Sequence, residues 1–368
     1  MPMFNDVYRD KRVLLTGHTG FKGAWLGLWL SSLGAKVTGF SIDIPTQPSL
    51  FETGRLAEMM DDRRGDVREF ETVAAVLEEV RPDFVFHLAA QPIVKASYDN
   101  PRETFQTNVL GTLNVLDAVR SAGRPCNAVM ITSDKCYENV EWAWGYREND
   151  RLGGKDPYSA SKAAAEAAIY SMYHSYFRGR EDHRVLSVRA GNVIGGGDWA
   201  ANRIVPDAMR SWADGQSVVI RSPKSTRPWQ HVLEPLSGYL RAGQRLAEKA
   251  GLSGESYNFG PRAEQSQTVL ELLEALARGW GFDDVGKMVR VDTADAFHEA
   301  GLLKLNCDKA LHDLQWQPTM DFRETVGFTS EWYRRFYSEG AEGMRDVTLG
   351  QIEAYVGYAK ARGQAWTL

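Results

Sequence analysis

The sequence predicts an α/β protein with a doubly wound parallel sheet and a smaller, mainly helical second lobe. Short apolar strands alternate with helical patterns over the first half of the chain. A glycine-rich turn directly follows the first of these strands. After residue 192 the alternation stops, and the final third consists mainly of helical segments rich in tryptophan. The chain has 368 residues, enough for a second lobe because single cores stop growing at about 250–300 residues.

Each strand is predicted from a short apolar run, and each helix from apolar residues at helical spacing. The predicted strands are Arg12–Thr16, 36–40, 84–88, 128–132 and 185–188. The predicted helices of the first half are 23–33, 72–80, 104–121 and 159–177. The second lobe is predicted to contain a glycine turn at 195–197, a polar loop at 221–227, and helices at Ile204–Ala213, 268–280 and 323–336. The tryptophans of the late helices are expected to be core residues rather than stacking platforms.

Composition excludes several classes of protein. The net charge of −5 gives no basic surface, so no nucleic-acid partner is expected. No apolar run approaches the roughly 18 residues of a membrane span, and the N-terminal segment lacks the apolar core of a signal peptide. The three cysteines, Cys126, Cys136 and Cys307, show no paired spacing. Reduced thiols and a cytoplasmic location are therefore expected.

The turn after the first strand has glycines at the spacing G-x-x-G-x-x-G and opens the first helix. Its residues are Gly17, His18, Thr19, Gly20, Phe21, Lys22 and Gly23. Such a turn lets the backbone approach a pyrophosphate, and the helix N-terminus supplies N–H donors. Asp43, just past the second strand, is expected to bind the adenosine ribose and to favour NAD over NADP. His18 and Lys22 are expected either to contact the pyrophosphate or to face water.

Tyr158 and Lys162 are four residues apart, so on a helix both side chains lie on one face. A nearby ammonium group favours the phenolate, and we expect it to lower the pKa of Tyr158 toward working pH. Ser133 ends another strand, at the sheet edge where α/β proteins bind ligands, and is expected to contact the same hydroxyl group. The combination predicts hydride chemistry on a hydroxyl group, with NAD as cofactor. No metal site is predicted.

Together these residues resemble the extended short-chain dehydrogenase/reductase family over essentially the whole chain. Three stretches, residues 17–25, 132–139 and 227–232, more narrowly resemble the CDP-glucose 4,6-dehydratases. The resemblance implies a Rossmann domain at 1–190, to which 232–262 returns, and a substrate-binding lobe at 191–231 and 263–368. It implies cofactor contacts from Asp66, Val67, Ala89, Ala90, Gln91 and Asn108. It implies substrate contacts from Asn192, Arg203, Arg221 and Arg227, and a homodimer built from two helices per subunit, or a homotetramer.

Asp134 and Lys135 carry the expectation of a dehydratase. In the resembled family the acid at the position of Asp134 protonates the C6 hydroxyl group of the sugar as it leaves as water. Lys135 stands where related dTDP-glucose enzymes carry a glutamate base, so it is expected to remove the C5 proton, to stabilise the enolate, or simply to pair with Asp134 or Glu138. The implied activity converts CDP-glucose to a 4-keto-6-deoxy sugar for deoxysugar and polysaccharide biosynthesis. A nucleotide-sugar 4-epimerase and a non-catalytic dinucleotide sensor are the alternatives.

Overall fold

The computed structural model describes residues 3–292 and 302–368. Residues 293–301 of the predicted substrate lobe, together with Met1 and Pro2, lie outside the described residues. The strands are β1 (Arg12–Thr16), β2 (Lys36–Ser41), β3 (Asp61–Arg64), β4 (Phe84–His87), β5 (Cys126–Ile131), β6 (His183–Ala190), β7 (Val193–Ile194), β8 (Val218–Ile220), β9 (Thr226–Arg227), β10 (Gln230–His231), β11 (Ser256–Phe259), β12 (Gln267–Thr268) and β13 (Val289–Val291). The α-helices are α1 (Phe21–Ser32), α2 (Leu50–Thr53), α3 (Phe70–Val80), α4 (Val94–Asp99), α5 (Pro101–Phe105), α6 (Gly111–Ser121), α7 (Pro157–Met172), α8 (Ile204–Ala213), α9 (Leu233–Glu248), α10 (Val269–Trp280), α11 (Phe322–Glu339) and α12 (Met344–Ala361).

Seven strands form the central sheet in the order β11-β6-β5-β4-β1-β2-β3. Every neighbouring pair in it is parallel. The inner strands are buried almost throughout, which explains why they are continuous apolar runs in the sequence. The predicted doubly wound α/β fold is confirmed.

Hydrophobic residues are packed on both faces of the sheet. On one face Trp25 and Trp29 of α1 are fully buried within a large core that also contains residues of α9 to α12. On the other face Leu14, Val85 and Leu116 belong to a second core with residues of α3, α6 and α7. Trp316 and Trp332 of the final third are also fully buried. The expectation that the late tryptophans are core residues is therefore confirmed for these two.

Two predicted helices contain π-helical turns that the sequence pattern did not indicate. The helix predicted over 104–121 is interrupted by a π-helical turn at Gln106–Leu110, and α7 gives way to another at Tyr173–Phe177. A π turn inserts one extra residue into a helix and often occurs at functional sites. Here the first turn carries Asn108, whose buried side chain bonds Gln91 and Ser161. The hydrophobic period alone does not reveal such an insertion.

The elements from β7 onward follow β6 in the sequence, and of the strands that the structure describes there, only one joins the central sheet. The strand β11 returns to the central sheet and pairs with β6, while β8 with β13 and β9 with β12 form separate two-stranded sheets. Among the described residues, none of the helices combines the length and the hydrophobicity that crossing a membrane requires. The turns that follow β1, β4, β5 and β6 all leave the same edge of the parallel sheet, and the candidate site lies there.

Candidate active site

The glycine turn after β1 is shaped by two tight backbone contacts. Gly17 has φ of +75°, and a Cβ added to it would lie 2.7 Å from the backbone nitrogen of Ala89. A Cβ on Gly23 would collide with the carbonyl oxygen of Gly17. By contrast, a Cβ on Gly20 would meet only one protein atom, at 3.5 Å, and no side chain caps the N-terminus of α1. The turn therefore has the space and the open N–H groups that a pyrophosphate needs.

His18 and Lys22 of this turn have different neighbours, and His18 is the more deeply buried of the two. The His18 ring is completely buried, with Nδ1 2.9 Å from the Ser41 hydroxyl and Nε2 2.9 Å from Asp62. Burial lowers the pKa of His18, so the ring is neutral despite the neighbouring carboxylate of Asp62. The expectation that His18 faces water is wrong, and both its ring nitrogens already have protein partners.

Lys22 extends from the first turn of α1 toward the turn after β5. Burial, and next the charge of Arg203, lower its pKa to about 8, while the carboxylate of Asp134 acts in the opposite direction. Lys22 is half-buried, and it lies close enough to Arg203 and Asp134 for their charges to act on it. The G-x-x-G-x-x-G motif and its spacing did not indicate that Lys22 lies near Asp134 and Arg203.

The other predicted cofactor residues surround the same sheet edge. Asp43 is exposed after β2, and its carbonyl oxygen accepts a hydrogen bond of 2.6 Å from Thr19. Asp66 accepts hydrogen bonds from the backbone and the side chain of Arg68. Val67 follows β3, and its carbonyl oxygen accepts a hydrogen bond from Asn114 of α6. Ala89, Ala90 and Gln91 lie in the loop after β4, and Asn108 is bonded to this loop. Asn108 joins this loop to α7, because its amide nitrogen donates to Gln91 O at 3.1 Å and to Ser161 Oγ at 2.8 Å.

Ser133, Asp134 and Lys135 form a tight turn directly after β5. The Ser133 hydroxyl donates to Asp134 Oδ1 at 2.9 Å and accepts from the backbone nitrogen of Lys135 at 3.2 Å. The side chain of Asp134 is buried, and burial raises its pKa against the opposing charges of Lys135 and Lys22. A carboxyl group in this environment keeps its proton to a higher pH than an ordinary aspartate.

Tyr158 and Lys162 lie on the first turns of α7, and both are buried. The N-terminus of this helix is fixed by Asp156, which accepts a hydrogen bond from the backbone of Ser159. Burial raises the pKa of Tyr158 to about 12 even though Ser133 and Arg203 lower it, and burial lowers the pKa of Lys162 to about 8. The expected lowering of the Tyr158 pKa is therefore wrong, because desolvation exceeds the effect of neighbouring positive charge.

Of the predicted substrate residues, Arg203 acts electrostatically on this group. It precedes α8 and donates to the buried carboxylate of Asp198 at 2.8 Å, and its charge lowers the pKa of both Lys22 and Tyr158. Asn192 follows β6, Arg221 is exposed after β8, and Arg227 lies in the β9–β12 pair. The sequence reading did not identify Asp198, although its place after three glycines, with Gly197 at φ of +81°, marks it as part of a fixed turn.

Comparison with known proteins agrees with this geometry. Residues 14–329 match the family described as GDP-mannose 4,6 dehydratase. The chain belongs to this family. It is also 49% identical to the CDP-glucose 4,6-dehydratase of Salmonella typhimurium over 89% of this chain and 92% of that protein. The predicted membership of the extended short-chain dehydrogenases/reductases is confirmed.

Solved structures of similar fold include dehydratases and epimerases. The dTDP-glucose 4,6-dehydratase of Streptomyces venezuelae, solved with NAD, has a TM-score of 0.74 and 24% identity, covering 90% of this chain and 100% of that one. The UDP-glucose 4-epimerase of Thermotoga maritima, solved with UDP-glucose, has a TM-score of 0.75 and 22% identity, covering 88% of this chain and 98% of that one. At these identities the structural likeness establishes the fold of this dehydratase-family member and not its reaction.

Proposed function

We propose that this chain is an NAD-dependent CDP-glucose 4,6-dehydratase, a lyase that removes water from CDP-glucose and forms CDP-4-keto-6-deoxyglucose. The observation that carries the proposal is the 49% identity to a CDP-glucose 4,6-dehydratase, which extends over 89% of the chain. The buried acid Asp134, beside Ser133 and Tyr158, supplies the chemistry that separates a dehydratase from an epimerase. The keto product is a precursor for deoxysugars of the kind found in bacterial polysaccharides.

We assign cofactor binding to residues 1–190 with 232–262, and substrate binding to 191–231 and 263–368. The turn from Gly17 to Gly23 would hold the pyrophosphate, and Asp43 would hold the adenosine ribose. The further contacts would come from Asp66, Val67, Ala89, Ala90, Gln91 and Asn108. Bound NAD supplies the reversible redox chemistry at C4 and C6 of the sugar. The space beside Gly20 and the open N-terminus of α1 support this assignment.

Oxidation at C4 requires a base for the proton of the C4 hydroxyl group, and we assign this role to Tyr158. Tyr158 must be a phenolate to accept this proton, and because its pKa is raised, neighbouring groups must stabilise the phenolate. The hydrogen bond of Ser133 and the positive charge of Arg203 both lower the Tyr158 pKa. Lys162, one turn further along α7, would add a second positive charge. The positive nicotinamide ring would add to their effect.

Once C4 is a ketone, the C5 hydrogen becomes acidic and the C6 hydroxyl group can leave as water. We assign protonation of that hydroxyl group to Asp134, because burial raises the pKa of its carboxyl group and so favours the protonated form. Lys135 is assigned to the C5 proton, either as its acceptor or as the cation that stabilises the enolate. Asn192, Arg203, Arg221 and Arg227 are assigned to the substrate, because Arg side chains bind a diphosphate through paired N–H groups.

A substrate panel tests the reaction. The purified protein is incubated separately with CDP-glucose, dTDP-glucose, UDP-glucose and GDP-mannose, and the products are measured by mass spectrometry. We expect loss of one water from CDP-glucose, with slower or no loss from the others. A product of unchanged mass but altered stereochemistry at C4 would indicate an epimerase instead. Tight cofactor binding without any product would indicate a dinucleotide sensor.

The exposed carboxylate of Asp43 predicts the choice between NAD and NADP. It would meet the 2′-phosphate of NADP with like charge, which at a solvated site costs about 1 kcal/mol per contact. We expect Asp43→Ala to reduce the preference for NAD roughly fivefold, as such an energy implies. Dissociation constants for both cofactors measure this, with Asp61→Ala, another exposed aspartate at the start of β3, as the control. Equal discrimination in wild type and Asp43→Ala would remove Asp43 from cofactor selection.

We further propose that the protein is a homodimer in the cytoplasm, in which two helices of each copy meet: α7, and the continuous helix formed by α5, the π turn at Gln106–Leu110 and α6. Large apolar side chains are exposed on and beside these helices, including Tyr98, Phe105, Leu110 and Tyr170. Phe105 and Leu110 also line a surface cavity of about 450 Å³. Exposed apolar groups clustered in this way are typical of an interface between proteins. Light scattering on the purified chain measures the oligomeric state, and a mass of four chains would favour the tetramer.

The cytoplasmic location is proposed because all three cysteines are free thiols.

A further inference from the structure

A buried ion pair lies beneath the candidate catalytic turn. Arg189 of β6 donates from Nε to Glu166 Oε1 at 2.9 Å and from Nη2 to Glu166 Oε2 at 2.8 Å. Both side chains are only 3% exposed. A two-point pair of this kind fixes direction as well as distance, because the guanidinium and the carboxylate are both planar.

The two members of this pair hold opposite ends of the turn. The Thr132 hydroxyl, immediately before Ser133, donates to Glu166 Oε1. Nη1 of Arg189 donates to the Tyr137 hydroxyl, immediately after Cys136, at 2.6 Å. Tyr137 in turn donates to Asn258 Oδ1 at 2.9 Å. The four residues between these two anchors include Ser133, Asp134 and Lys135.

The same pair is also joined to the helix that carries Tyr158 and Lys162. Glu166 follows Lys162 by four residues on α7, and therefore lies about one helical turn further along the same face. The candidate catalytic groups come from two separate elements, the turn after β5 and the helix α7. Glu166 connects these elements directly, because it belongs to α7 and its carboxylate accepts a hydrogen bond from Thr132, the residue before the turn.

We propose that Glu166 and Arg189 are positioning residues that set the turn at Ser133–Lys135 against Tyr158 and Lys162. This inference rests on the proposed dehydratase function. Tyr158 and Asp134 must reach C4 and C6 of the same sugar, so a small shift of the turn would affect one step or both. Misplacement of a catalytic group by about 1 Å can cost on the order of 100-fold in rate.

A purely structural role would give a different result, and the chain offers a matched control. The Ser187 hydroxyl on β6 also donates to Glu166 Oε2, at 3.0 Å, yet Ser187 is not connected to the turn. Ser187→Ala and Thr132→Val each remove one hydrogen bond to the same carboxylate. Only Thr132→Val releases an end of the turn. Direct substitution of Glu166 is avoided, because it would leave Arg189 buried without its partner charge.

The test compares Thr132→Val, Thr132→Ser, Tyr137→Phe and Ser187→Ala in turnover of CDP-glucose, with melting temperature measured in parallel. We expect kcat to fall about 10- to 100-fold in Thr132→Val and Tyr137→Phe with little change in KM. Thr132→Ser retains the hydroxyl group and should have the kcat of the wild type. Ser187→Ala should also have the wild-type kcat, even if its melting temperature falls as much as that of Thr132→Val. Wild-type kcat in Thr132→Val, or an equal loss of kcat in Ser187→Ala, would overturn the inference. Failure of the wild-type protein to convert CDP-glucose would instead contradict the proposed function.

Discussion

Asp134→Asn should stop the reaction after oxidation at C4 and accumulate enzyme-bound reduced nicotinamide. Oxidation at C4 depends on Tyr158 and needs no proton from Asp134, whereas departure of the C6 hydroxyl group needs a proton donor. Asparagine keeps the shape and can still accept the hydrogen bond that Ser133 donates to Oδ1. Loss of a general acid lowers turnover by about 10²- to 10⁴-fold. Absorbance of reduced nicotinamide after mixing enzyme and CDP-glucose, followed by mass analysis of the product, measures both effects.

Tyr158→Phe is the matched control for this experiment. It removes the base at C4 and should therefore give neither reduced nicotinamide nor product, although substrate still binds. The two variants then fail at different steps, which loss of folding would not produce. Normal turnover in Asp134→Asn would refute its role as the acid. Tight substrate binding without reduced nicotinamide in Asp134→Asn would place its function before C4 oxidation.

The fold could be predicted from the sequence because its strands are buried on both faces and read as apolar runs. The strand β3 was missed, since its four residues, Asp61 to Arg64, are all charged and lie at the sheet edge. An edge strand with charged side chains discourages pairing with other chains, but it leaves no hydrophobic pattern to detect. Asp62 of this strand also binds His18, so the environment of the glycine turn depended on an element that the pattern did not show.

Most residues of the candidate site could be named from the sequence, but their electrostatics could not be predicted. The Tyr158–Lys162 spacing gave the correct helix, whereas the Tyr158 pKa depends on a burial that only tertiary packing determines. Lys22 and His18 are four positions apart in one motif, yet one approaches Asp134 and the other is enclosed beneath β2. Glu166 could have been noticed from its helical spacing after Lys162. Its partner Arg189 lies on the strand β6, and no local sequence pattern links a residue of that strand to one of α7.

Lys135→Met should leave oxidation at C4 nearly normal while slowing loss of the C5 proton by about 10²- to 10⁴-fold, the usual contribution of a positioned proton acceptor. Lys135 is half-buried in the turn after β5, and its charge acts on the neighbouring carboxyl group of Asp134. Within residues 3–292 and 302–368 it forms no ion pair with Asp134 or Glu138, and Glu138 pairs instead with Arg151. This geometry counts against the purely structural alternative.

Running the reaction in deuterated water separates the two steps. Absorbance of reduced nicotinamide reports oxidation at C4, and deuterium at C5 of the recovered sugar reports proton exchange there. Both active roles of Lys135, proton acceptor and stabiliser of the enolate, require near-normal reduction with slow C5 exchange. Lys155→Met, which removes an exposed lysine just before α7, is the control and should change neither signal. Unchanged C5 exchange and unchanged turnover in Lys135→Met would exclude both active roles, since neither a base nor an enolate-stabilising cation can be removed without slowing that exchange.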